Sequence, residues 1–166
     1  MIIDALGGRV GDTEDLKGSD LLALAKCMKF TKDGEFFSSS NLADFCAHVL
    51  PPSCEVRKIN FPDAKIFTER LPTSLFLVAF DIIGNNVGCR NGNSSHWGIV
   101  SACATSQPEE GQLYMYIQHS QSKVPILSTH AELKRSNSQL QETSSKFNGD
   151  NELSGTVIQI TPSSPT

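Results

Sequence analysis

The sequence predicts an α+β fold, with helices first and an antiparallel sheet after them. Three observations point there. Two stretches of helical periodicity lie before Pro51. After Pro51 the pattern turns to period two and short apolar runs. The strand candidates are then joined by short polar turns, which favours hairpins. Helices segregated from strands along a chain are the mark of this class.

Each element has a local reason. Ser19 or Asp20 can accept from the free N–H groups of a helix start, so a first helix is expected over Ser19–Lys29. A turn and a short extended piece follow over Phe30–Phe36. Ser38, Ser39 or Ser40 can cap a second helix, Asn41–Leu50, where Leu42, Phe45, Cys46 and Val49 form one apolar stripe. Pro51-Pro52 ends it. Cys54–Asn60 alternates as a strand, and Ala64–Leu71 reads as a turn or two of helix. Leu75–Phe80 is apolar on both faces and reads as a central strand. Asp81–Ser95 reads as a loop rich in Asn and Gly. His96–Ala102 and Leu113–Ile117 form a hairpin across the polar turn Ser106–Gln112. Ile126-Leu127 and Val157–Ile160 are further strands, and Ala131–Leu140 a short helix. Gln141–Gly155 is a polar stretch and Pro162–Thr166 a tail. No internal repeat is visible.

Composition narrows the function. The chain has 166 residues, 39% apolar and 19% charged, with 14 Lys+Arg against 18 Asp+Glu and a net charge of −4. This length, near ~150, fits one domain with a core of its own. The acidity and scattered basic residues argue against nucleic-acid binding. The longest apolar stretch, Ser74–Ile83, contains Asp81 and is about half a membrane span, so no membrane partner is expected. The first residues do not read as a signal peptide. Cys27, Cys46, Cys54, Cys89 and Cys103 are odd in number and contain no C-x-x-C, so no zinc site is expected. A reducing, cytoplasmic compartment is the expectation. Each cysteine reads as a small buried apolar residue, Cys27 and Cys46 on helices above all.

Four histidines are available. His48, near a helix C-terminus, and His130, before a helix, read as surface residues. His96 begins a strand directly after Asn91-Gly92-Asn93-Ser94-Ser95 and is followed by Trp97. It is either a hydrogen-bonded histidine at a strand edge or a catalytic imidazole. A hairpin sets the start of its first strand beside the end of its second. His96 and Gln118-His119-Ser120 are therefore predicted neighbours, the arrangement in which a polar group orients an imidazole. A base and an orienter still need a nucleophile, and none of the five cysteines is a convincing one from sequence.

Four segments carry a resemblance: Phe30-Thr31-Lys32-Asp33-Gly34-Glu35-Phe36-Phe37-Ser38, Leu77-Val78-Ala79-Phe80-Asp81, Cys89–Trp97 and Ser136-Asn137-Ser138-Gln139-Leu140. In order and spacing, from about Leu21 to Leu140, the chain resembles the actin maturation protease family, cysteine peptidases of papain-like, C39-type fold. The resemblance implies a cysteine nucleophile at a helix N-terminus, an upstream glutamine in the oxyanion hole and a histidine base from the sheet. His96 matches that histidine. The implied reaction is removal of the processed N-terminal residue of actin, an acetylated Cys or Met, so the actin N-terminus is the implied substrate. No cofactor is implied.

Two departures stand out. The family has Gln-Gly-Lys-Ser where this chain has His119-Ser120-Gln121-Ser122. The catalytic residues expected here are thus His96 and His119, with Gln118 and Ser120 open as alternatives for the third group. The family's Gln…Cys-Gly motif is absent, and Met1–Leu6 resembles the tail of the helix that would carry it. Residues 1–161 are then expected to form one peptidase-like domain lacking its nucleophile-bearing segment, with 162–166 as a tail. On that expectation Leu21, Leu24 and the face of Leu75–Phe80 are exposed. The chain alone is expected to be inactive. The alternative is a short form or pseudoenzyme that binds actin N-termini, or another protein, without cleaving them.

Overall fold

The structure is a computed structural model that describes residues 18–32, 34–106, 111–140 and 153–163. Met1–Leu6, most of the Ser106–Gln112 turn, nearly all of the Gln141–Gly155 stretch and the end of the tail lie outside these residues.

Helix α1 spans Gly18–Cys27 and α2 spans Ser39–Val49. The first stops two residues earlier than expected. Lys29 turns left-handed at φ 62°, and the Phe30 N–H reaches back to the Ala25 carbonyl at 3.0 Å, a Schellman-type ending. Helix α2 starts two residues early because Ser38 is its cap, accepting from the Asn41 N–H at 3.1 Å. The remaining elements are β1 (Cys54–Asn60), α3 (Ala64–Arg70), β2 (Leu75–Ile83), β3 (Asn86–Gly88), β4 (Ser95–Thr105), β5 (Leu113–Gln118), β6 (Ile126–Thr129), α4 (His130–Ser138) and β7 (Thr156–Pro162). The class is α+β, as expected, although α3 and α4 interrupt the run of strands. The tail also starts later than residue 162, because Pro162 still pairs with Cys54.

All pairings are antiparallel, in the order β1-β7-β2-β4-β5-β6, with β3 folded back on β2. The last strand of the chain thus inserts between the first two. Strand β2 is the centre, apolar on both faces. Phe76, Val78 and Phe80 join Val100, Met115, Ile117, Phe67 of α3 and Leu133 of α4 in one core cluster. Leu77 joins Ile99, Ile158, Ile160 and Leu42, Ala43 and Cys46 of α2 in the other. Each such side chain fully withdrawn from water contributes ~1.5–3 kcal/mol. The expectation that the Leu75–Phe80 face lies bare is not met: Phe76 through Phe80 are 0–3% exposed. Leu21 and Leu24 are half-buried.

Strand β2 outruns β7. Their last paired residues are Val78 and Val157, so the edge of β2 beyond Val78 needs other partners. The C-terminal half of α4 supplies them. Asn137 Nδ2 donates to the Ala79 carbonyl at 2.9 Å, and Ser136 Oγ accepts from the Asp81 N–H at 3.0 Å. Asn137 also donates to the carbonyls of Leu153 and Thr156, both at 3.2 Å. Two polar side chains here complete a ladder that a strand would otherwise provide.

Candidate functional site

His96 is the second residue of β4 and pairs with Phe80 across the sheet. Its ring stands edge-on to Phe80 at 6.3 Å between centroids and to His119 at 5.3 Å, the two imidazoles perpendicular at 89°. Ser120 Oγ lies 3.5 Å from His96 Nε2, a long hydrogen bond. The hairpin register explains the meeting. Ile99 opposes Gln118, so the residues after Gln118 run past the start of β4. Of the three positions left open by the sequence, His119 and Ser120 reach His96. Gln118 pairs with Ile99 and is exposed.

His119 is 2% exposed, and neither ring nitrogen has a hydrogen-bond partner. Burial holds its pKa below the ordinary 6.5. Burial also holds His96 below that value, and the neighbouring His119 adds to the effect, while Glu35 pulls the other way. His96 is thus kept neutral at physiological pH, the form in which an imidazole accepts a proton.

A groove of about 640 Å³ opens beside it. Leu21, Phe36, Phe45, Val49, Trp97 and Ile99 give it apolar walls, and Glu35, His96, Ser120 and Gln121 line it with polar groups. Two of the singled-out segments meet at its wall. Trp97 Nε1 donates to the Phe36 carbonyl at 2.8 Å. The turn holding Phe36 is closed by Thr31, whose hydroxyl donates to the Glu35 carbonyl at 2.7 Å and accepts from the Gly34 N–H at 2.9 Å. Gly34 has φ 98°, which an L side chain rarely adopts. In His96-Trp97-Gly98 the glycine has a packing reason. A Cβ there would come within 2.6 Å of Ile117 Cγ2 and 2.8 Å of Phe80 Cε1.

Sequence reasoning missed Asp81, which it placed at the start of a loop. Asp81 is fully buried, and its carboxylate accepts from the N–H groups of Arg90, Gly92 and Ser94 and from Gln139 Nε2. Burial works to raise its pKa, but the Gln139 amide and the three N–H groups outweigh this and hold it below 3.8. A carboxylate inside an apolar run was the available signal.

The four segments singled out in the sequence therefore converge at one end of the sheet: Phe36 on Trp97, Asp81 on residues 90–94, and Ser136, Asn137 and Gln139 on Ala79 and Asp81. Residues 5–104 match the family model for the actin maturation protease-like C-terminal domain. The chain belongs to that family. No curated protein and no solved structure matches it significantly. The family match stops at residue 104, so Ser136–Leu140 joins the convergence from outside the matched region.

Of the five cysteines Cys46 is among the residues lining the groove, whereas Cys27, Cys54, Cys89 and Cys103 are not. Cys46 is 1% exposed in the α2 core, and burial pushes its pKa up to about 12. Burial also raises Cys54 and Cys103, the latter at the far end of β4 from His96. Cys89 is exposed. Cys27 is exposed too, which corrects the expectation of a core residue: Ala25, rather than Cys27, faces inward from α1. His130 corrects the expectation of a surface residue. Its ring packs on Phe61 and Phe67, and Nε2 lies 2.9 Å from the Pro62 carbonyl. His48 is exposed in the last turn of α2, as expected. No group of three metal-ligating side chains occurs among the described residues. Among them no helix is long and apolar enough to cross a membrane.

Proposed function

We propose that this chain is the sheet half of a cysteine-type aminopeptidase that removes the processed N-terminal residue of actin, an acetylated Cys or Met. In this reading His96 is the base. His119 and Ser120 set its orientation and charge state, and the groove beside it receives the actin N-terminus. A thiolate paired with the imidazolium of His96 attacks the amide carbonyl, and the proton taken by the imidazole passes to the leaving amine. The nucleophile comes from a Gln…Cys-Gly helix of the family kind, outside the five thiols of this chain. Five free thiols support a reducing, cytoplasmic setting.

The observation that carries this reading is the convergence of the four family-like segments around His96. It is tested by mass spectrometry of a peptide with the acetylated Cys N-terminus of actin. The peptide is incubated with the chain joined to a Gln…Cys-Gly helix, and with the same protein carrying His96→Ala. Loss of the first residue, abolished by the substitution, is the expected result. Equal cleavage by the His96→Ala protein rejects His96 as the base.

A second reading has its own support. The cysteine deepest in the fold, Cys46, is held protonated, and Cys54 and Cys103 are shifted in the same direction. This favours a domain that binds actin N-termini, or another protein partner, without cleaving them. Peptide binding by the unmodified 166-residue chain, with no turnover, is its expected outcome.

A further inference from the structure

The residues that lead into His96 have little side-chain burial to hold them. Cys89, Arg90, Asn91 and Asn93 are exposed, and Asn91 and Gly92 are left-handed at φ 55° and 83°. Their backbone is nevertheless tied down. The N–H groups of Arg90 and Gly92 donate to Asp81 Oδ2 at 2.6 and 3.0 Å, and that of Ser94 to Oδ1 at 3.1 Å. Gln139 closes the arrangement from α4. Its Nε2 donates to Asp81 Oδ2 at 2.6 Å, and its Oε1 accepts from the Asn91 N–H at 2.6 Å. Backbone N–H groups converging on one point make an anion site. Here the chain fills it with its own buried carboxylate.

We propose that Asp81, clamped by Gln139, is the positioning residue of His96, fixing the path of residues 90–94 so that the imidazole meets Phe80, His119 and Ser120. The proposal rests on the reading of His96 as the base. A site side chain must be held within ~0.5 Å of its working position by its supports. A loop of Asn, Gly and Ser cannot do this by packing, whereas charge-assisted hydrogen bonds, roughly twice as strong as neutral ones, can. Asp81 is also adjacent in β2 to Phe80, the residue paired with His96. Asp81 itself pairs with Ser95, the residue before His96, so the clamp and the imidazole are one register position apart across the β2–β4 pair. Without the carboxylate, three N–H groups are left facing one another and the loop must open to water.

The test is the imidazole titration of His96, followed by NMR on the full chain, for the parent and for Asp81→Ala. The expected result is an upward shift of the His96 midpoint toward 6.5, as the ring gains water and leaves His119. Formate, small enough to enter the vacated anion site, is expected to restore the parent midpoint. A folded Asp81→Ala protein with an unchanged His96 midpoint overturns the proposal. So does a shift that formate leaves in place, since that marks a structural effect alone. If Asp81→Ala does not fold, Gln139→Ala removes two of the bonds and keeps the carboxylate. The midpoint is then expected to move the same way by less, and no movement overturns the proposal. The readout is the ring of His96, so it can fail while the peptide-cleavage experiment succeeds, and the reverse.

Discussion

At the scale of single residues, His119 is the position most out of balance. A buried imidazole with neither nitrogen paired costs about 1–3 kcal/mol relative to a satisfied site. His119→Leu removes that penalty while keeping an apolar filling, and is expected to raise unfolding free energy in urea by about 1 kcal/mol. A loss of stability instead would mean that the imidazole has a partner. His119→Gln puts an amide in place of the second imidazole. It also removes the second positive charge, so the NMR midpoint of His96 is expected to rise. The neighbourhood of His96 was legible because it is local: one hairpin register brings 119 and 120 alongside 96. Asp81 was not, because a carboxylate's meaning depends on what faces it. Its partners come from 9, 11, 13 and 58 residues away.

Among the elements, two substitutions test why each forms. Gly98→Ala forces a methyl against Ile117 and Phe80. It is expected to cost about 1–3 kcal/mol in chemical denaturation, and to disturb His96 through Phe80. Thr129 caps α4 in a full capping box with Glu132. Thr129→Ala is expected to cost about 1 kcal/mol, and a neutral result would show that the helix is held by packing alone. The caps, the Pro51-Pro52 stop and the two-sided β2 were readable because their causes lie within a few residues. The insertion of β7 between β1 and β2 was not, since strand pairing over a hundred residues leaves no local pattern. The same holds for Ser136 and Asn137 completing the edge of β2, which in the sequence were two polar residues on a short helix.

Across the whole molecule, protons report the design. His96 and His119 both have lowered pKa values, so below 6.5 the unfolded chain takes up protons that the folded one refuses. Stability is then full above that value and falls as pH drops through the folded midpoints. Asp81 is also lowered, net of its burial, and Glu132 is lowered by its bonds to Thr129. Their contribution is full above their ordinary values of 3.8 and 4.5 and is lost as pH falls through the folded ones. The urea midpoint is expected to decline from pH 7.5 to pH 5, and less steeply in His119→Leu. A flat profile in the parent would contradict the burial assigned to the two imidazoles.

On the proposed function, the end of the sheet around His96 receives the actin N-terminus. The most direct measurement is NMR mapping of the isotope-labelled chain during titration with an acetylated actin N-terminal peptide. Saturable shifts are expected at His96, Trp97, Ser120 and Phe36, which line the groove. A peptide that leaves those signals unmoved, or shifts only residues on the opposite face of the sheet, would contradict that function.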